Sequence, residues 1–163
     1  MHARIHPAPL AHRSLLAWPV LVGGLAIAAL DFAFCLAFWW PLGADAQRVL
    51  QGVAAGVLGR AAYAGGASTA VLGAFGMVLI GSAFVLTYAL LARHAASLRL
   101  HARALGPVYG LLLYLVMTRI VVPVSAAPAP GRAELAWALA SLPMFVVFGT
   151  LAAVSGARAL GAR

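Results

Sequence analysis

The sequence has no lysine and no asparagine, a single cysteine and only three acidic residues in 163, and each shortage removes a class of protein. With Cys35 alone, no internal disulfide and no multi-cysteine metal or iron–sulfur site can form. A free cysteine in an apolar run is ordinarily a small buried hydrophobe. Nor is Cys35 a lipid-attachment cysteine, since Phe32 and Phe34 stand before it where small residues would close the apolar region. With 9% charged and 64% hydrophobic residues, a water-soluble domain of this size could not cover its surface. The mean hydropathy of +1.01 places the chain among integral membrane proteins. The net charge of +8 comes from eleven arginines that fall mostly in short segments flanking apolar runs. That is the arrangement of membrane topology and not of nucleic-acid binding. The arginine-only basic set, with abundant Ala and Gly, points to a GC-rich bacterial genome.

What is present is a series of apolar runs, the first being 15–40 with one ionisable residue, Asp31, well inside it. About 20 helical residues rising ~1.5 Å each cross the roughly 30 Å hydrocarbon core, so this run predicts a transmembrane helix. It continues far past the length of a signal peptide and reads as retained, with Trp18 and the Trp39–Trp40 pair near the two headgroup levels. Pro41 and Gly43 end it, and Asp45 can cap the next helix. Residues 46–64 form a mixed helix in which Arg48, Gln51 and Arg60 interrupt the apolar pattern, too polar and short for a comfortable span. An interfacial or re-entrant helix is the expectation, with Gly52-x-x-x-Gly56 offering close packing on a neighbour. Further spans are expected at about 67–92, where Gly73 offers another close contact, at 105–124 and at 135–154. Basic tails at 1–14 and 155–163 complete an all-α, four-helix antiparallel membrane bundle in one domain.

Orientation follows from the arginines near the span ends. With the N-terminus inside, Arg4, Arg13, Arg93, Arg99, Arg103, Arg158 and Arg163 are cytoplasmic, and Arg48, Arg60 and Arg132 are outside. Seven against three predicts both termini in the cytoplasm of a bacterial inner membrane. In that frame Asp31 and Arg119 each lie ~21 to 23 Å from the cytoplasmic end of helices running the same way. Each also follows a proline by twelve residues, Pro19 and Pro107, a hint of a parallel repeat.

The chemistry on offer is sparse. Asp31 and Arg119 are expected to meet as a buried intramembrane charged pair that fixes helix register, or else to line a path in which Asp31 serves as a proton or cation site. Small multidrug transporters use one intramembrane acid in that way. A cationic Arg119 beside it would hold Asp31 ionised, which weakens the carrier reading. His2, His6, His12, His94 and His101 all fall outside the spans, which excludes bis-His haem in the bundle and an intramembrane Ser–His protease. No metal site, cofactor or catalytic set is assigned; the glycines of 52–66 lack the Lys-Ser/Thr of a phosphate loop. Ser82, Thr87, Ser141 and Thr150 read as polar residues bonded to backbone carbonyls.

Within 48–73, RVLQGVAAGVLGRAAYAGGASTAVLG resembles a segment of small uncharacterised bacterial inner-membrane proteins of about four helices. The resemblance spans roughly 31–125, with an acid in the first helix and a Tyr-rich third helix. It implies the class and topology above and brings no activity with it. The reading is a non-enzymatic membrane protein acting as a packing or interaction partner, its contacts being the bilayer and another membrane protein or a second copy, with no nucleic acid. The alternative is a small transporter or channel subunit using Asp31 and Arg119.

Overall fold

The computed structural model describes residues 11–128 and 134–161, all helices and short connections with no strand among them. Most of the N-terminal tail, with His2, His6 and Arg4, lies outside the described residues, as do 129–133 with Arg132, and Arg163. The helices are α1 Ala11–Trp39, α2 Ala46–Leu58, α3 Gly66–His94, α4 Ala96–Leu100, α5 Ala102–Val116, α6 Val122–Val124 and α7 Glu134–Ala159. A 3₁₀ turn at Gly59–Ala64 joins α2 to α3, and a π turn at Met117–Val121 joins α5 to α6. Four stretches are long and apolar enough to cross a membrane: Trp18–Leu42, Gly66–His94, Ala102–Val124 and Glu134–Ala159. Helix α1 begins inside the stretch read from sequence as tail and runs through Pro19 to Trp39, where Pro41 sets the following 3₁₀ turn.

Local chemistry sets the ends. Pro41 forces a 3₁₀ turn at Trp40–Leu42, and Gly43 follows at φ 89°, a left-handed value that glycine adopts without strain. Asp45 then caps α2, its carboxylate accepting from the backbone N–H of Arg48 at 2.8 Å. The π turn has its cause in Pro123, which has no N–H to give the Arg119 carbonyl four residues back and whose ring would collide with it. The chain widens instead, and the Val122 N–H reaches Met117, five residues back.

Side-chain size is distributed inside out relative to a water-soluble protein. The fully buried positions are largely small, Ala55, Ala62, Ala89, Ala92, Ala152 and Ala153, whereas Val71, Phe75, Leu79, Leu86 and Leu90 form one outward face of α3. Helix α5 points Val108, Leu111, Leu112 and Leu115 outward in the same way. Large apolar groups outside and small ones between helices suit a lipid surround, where helices gain little by hiding leucine and gain contact by bringing backbones together.

Helix α7 is the hub, packing against α1, α3 and α5, while α1 also packs on α3 and α2 on α3. These crossings depend on glycine. A Cβ on Gly149 of α7 would strike the Gly110 backbone and the Gly106 carbonyl of α5, and one on Gly110 would strike the Phe145 and Val146 backbone. Between α1 and α3, a Cβ on Gly81 would lie 2.5 Å from the Gly24 carbonyl. Helix α2 is brought onto the first three turns of α3 by Gly73, where a Cβ would meet the Leu50 carbonyl. Gly52 and Gly56 do not make that contact: a Cβ on Gly52 meets only the Tyr63 hydroxyl at 3.7 Å, and one on Gly56 meets nothing within 4 Å. The buried face of α2 is instead Val49, Gln51, Ala54 and Ala55, and Gly56 contributes its carbonyl, which accepts from the Ala126 N–H at 2.9 Å.

Tyrosine hydroxyls complete the interhelical ties, since each buried O–H needs an acceptor and finds a backbone carbonyl. Tyr109 of α5 donates to Phe84 of α3 at 2.9 Å, Tyr114 to Ala138 of α7 at 3.1 Å, and Tyr88 to Leu98 of α4 at 2.8 Å. The rings of Tyr88 and Tyr109 meet edge to face at 5.1 Å. At the other end Trp137 of α7 packs between Phe34, Phe38 and Trp39 of α1, with centroids 5.1 to 5.4 Å away.

Two alanine substitutions separate contact glycines from the rest. Gly149→Ala should destabilise the protein by about 1–3 kcal/mol through overpacking, and Gly56→Ala, with open space and better helix propensity, should be neutral or stabilising by up to about 1 kcal/mol. Thermal unfolding in detergent measures both; equal losses would mean that the α5–α7 contact is not glycine-limited.

Candidate functional site

The residue with the most chemical potential is Asp31, roughly midway along the first long helix. It lies ~20 Å from Trp18 and ~16 Å from Leu42 along the axis. It occupies the bundle-facing side of α1, one turn from the buried Ile27 and Ala28 and one turn before the buried Cys35. Its side chain is half-buried, and among the described residues its one side-chain hydrogen bond is from the Cys35 thiol, Sγ to Oδ1 at 3.6 Å. A thiol is a weak donor, so this i, i+4 contact leaves most of the carboxyl's bonding capacity unused.

Arg119 stands elsewhere. It is exposed, on the π turn, five residues before the end of the third long helix at Val124, so that ~8 Å of helix separates it from that end. The structure does not bring Asp31 and Arg119 together: no ion pair joins them, and the helices that carry them share no packed face, since α5 rests on α7 and α1 on the α3 and α7 side. Nor do they share a level, Asp31 lying ~16 Å and Arg119 ~8 Å from the far ends of their long helices. The glycine contacts that seat α5 against α7 decide the separation.

A polar side chain with a defined structural role that sequence reasoning missed is Gln51. Read along the chain it only interrupts an apolar run, yet it is 3% exposed, and its Nε2 donates to the Gly66 carbonyl at 3.0 Å and to the Thr69 hydroxyl at 3.3 Å. Thr69 in turn donates to the Ala62 carbonyl at 2.7 Å, so one amide and one hydroxyl fasten α2, the 3₁₀ turn and the first turn of α3. The signal available was the sequence itself, an amide inside an otherwise apolar stretch with Ser68 and Thr69 after the Gly65–Gly66 hinge. The other span hydroxyls behave as expected where the structure shows them, Ser141 donating to Ala138 at 3.2 Å and Thr150 to Val146 at 2.8 Å.

The remaining feature is the outward face of α1. Val22, Ala26, Ala29, Ala33, Leu36 and Trp40 recur at alternating four- and three-residue steps, and all but the partly covered Leu36 are exposed. Near one end Ala33, Leu36, Ala37, Trp40 and Pro41 line a shallow apolar concavity of about 510 Å³. Of the candidate ligands for metal, His94 and His101 are exposed, and among the described residues no three His, Cys, Asp or Glu side chains gather. In comparisons with known proteins, no family model matches this chain, no curated protein matches it and no solved structure matches it.

The separation of the two charges has a direct consequence. In a double-mutant cycle, Asp31→Asn and Arg119→Gln should be additive within ~0.5 kcal/mol, as for side chains that share no partner. Unfolding in detergent of the two single variants and the double supplies the cycle; a coupling of several kcal/mol would mean that the two charges pair after all.

Proposed function

We propose that this chain is a non-enzymatic, multi-pass bacterial inner-membrane protein that works as a packing partner of another membrane helix, with α1 as its contact element. The single observation that carries the reading is the exposed alanine seam Ala26, Ala29, Ala33 and Ala37. The outward faces of α3 and α5 are built mainly from large apolar groups, as lipid-facing surfaces are, whereas α1 presents small residues at the spacing that lets a second helix approach closely. Association in lipid is driven by such contact, because hiding apolar surface from apolar solvent gains little.

In this reading the termini face the cytoplasm, as the arginine distribution favours, and α2 lies at the opposite surface. Thirteen residues rise only ~20 Å, short of the roughly 30 Å core. Its exposed Val57 and Leu58 with Arg48 and Arg60 give it both an apolar and a cationic side, which suits the headgroup layer. Small residues between helices and large apolar ones outside support the bilayer itself as surround.

A photo-reactive residue placed at Ala29 or Ala33 should give a discrete adduct in native membranes, and one at Leu79 or Leu112 on the lipid-type faces should not. An adduct at twice the chain mass means a second copy; other masses mean a different protein. Absence of adducts from Ala29 and Ala33, or indiscriminate adducts from all four sites, would remove the proposal. For the topology, alkaline phosphatase fused after Arg163 should be inactive and a cytoplasmic reporter active.

A second reading has its own support in the lack, among the described residues, of any cation on Asp31. A carboxyl inside the bundle with only a thiol beside it is free to bind a proton or a small cation, as the alternative of a transporter or channel subunit requires. Proton-coupled uptake in proteoliposomes that Asp31→Asn abolishes, with the bundle still folded, would favour it over the packing partner.

A further inference from the structure

Four exposed arginines gather at one end of the bundle: Arg93 in the last turn of α3, Arg99 on α4, Arg103 in the first turn of α5 and Arg158 in the last turn of α7. The exposed His94 and His101 stand among them. The three acids of the chain are all elsewhere, Asp31 midway along α1, Asp45 and Glu134 at the opposite end. Arg93 and Arg158 have a local task, since a cation in a last turn offsets the unpaired carbonyls of the helix end. Arg99 and Arg103 have none, because α4 is only five residues long and Arg103 lies where a helix's own field repels a cation.

The segment that carries Arg99 and Arg103 is held in place. Tyr88, 1% exposed, donates its hydroxyl to the Leu98 carbonyl, the His101 N–H donates to Ser97 at 2.9 Å, and Leu98 packs on the main core. Helix α4 touches α3, α5 and α7, which keeps Arg158 close by. A ligand that met these guanidinium groups would therefore not have to order the backbone first. Beside the cations the same end exposes Leu100, at 78%, and Trp18, at 69%. Cations and bare apolar groups at one level suit the boundary between headgroups and acyl chains, and suit neither a nucleic acid nor a soluble acidic protein.

We propose that this end of the bundle binds the phosphate of anionic phospholipid headgroups, with Arg99 and Arg103 as its ligands and Leu100 set among the acyl chains. The inference rests on the membrane reading above and adds a lipid class to it. Guanidinium donates two parallel N–H bonds to a phosphate, so arginine gives more here than charge alone.

The full chain in a neutral detergent, titrated with phosphatidylglycerol or phosphatidylcholine and read by native mass spectrometry, tests it. Phosphatidylglycerol should be retained over phosphatidylcholine, and Arg99→Gln with Arg103→Gln should weaken its binding roughly tenfold or more. The corresponding Lys pair should fall between the Arg and Gln forms, keeping the charge and losing the paired N–H bonds, and Arg48→Gln with Arg60→Gln, at the opposite end, should leave it unchanged. Matching melting curves for these variants keep folding out of the result. Equal losses in both Gln pairs would reduce the effect to net charge, equal retention of the two lipids would remove the site, and displacement by millimolar inorganic phosphate would make free phosphate the ligand. Failure of the chain to fractionate with membranes would instead sink the membrane reading, a result distinct from any of these.

Discussion

Helix backbones approach closely at glycine, and these contacts set which helices are neighbours. Gly106 and Gly110 of α5 meet Gly149 of α7, Gly24 of α1 meets Gly81 of α3, and Gly73 of α3 admits the Leu50 carbonyl of α2. In water a bundle is held by the apolar faces that it hides; in lipid that difference vanishes and contact itself must hold the helices. Backbones that touch allow dense packing and weak Cα–H···O contacts, and they leave no slack for a methyl group. Helix α7, with Gly149, Ala152, Ala153 and Gly156 all buried, is the surface on which the other long helices are assembled.

That arrangement governs the polar residues. Because α5 is seated on α7 and away from α1, Arg119 ends on the periphery and Asp31 inside, with a thiol for company in place of a guanidinium. Gln51 shows the opposite outcome: Gly73 brings α2 close enough to α3 for its amide to reach Gly66 and Thr69, so a polar group that would be costly unpaired becomes a fastener. Tyr88, Tyr109 and Tyr114 act alike, each hydroxyl finding a main-chain carbonyl on another helix.

The two ends of the bundle differ in chemistry. One is closed by aromatic rings, with Trp137 lodged among Phe34, Phe38 and Trp39, and is covered by the α2 segment latched through Ala126 and Gly56. The other carries exposed arginines on a short helix held by the Tyr88 hydroxyl. Between them α1 keeps one face of small residues that is exposed among the described residues. The proposals of a packing partner and of a headgroup site use different parts of the molecule, so neither depends on the other beyond the bilayer that both assume.

An all-helical chain with four long apolar helices was legible in the sequence. Runs of apolar residues at the length of a bilayer give four long helices, Pro41 and Gly43 end the first, and Asp45 caps the next, because these are properties of a residue and its near neighbours along the chain. Even the α5 contact was partly written there, in Gly106-x-x-x-Gly110, although Gly52-x-x-x-Gly56 has the same form and makes no such contact. Only the tertiary structure decided which glycine faces which helix, and so which helices are neighbours, where Asp31 and Arg119 come to lie, and what Gln51 holds. The physical reason is that helical period fixes a residue's depth and its position around its own axis, whereas pairing depends on which surfaces approach most closely, a property of two helices together that neither sequence segment contains alone.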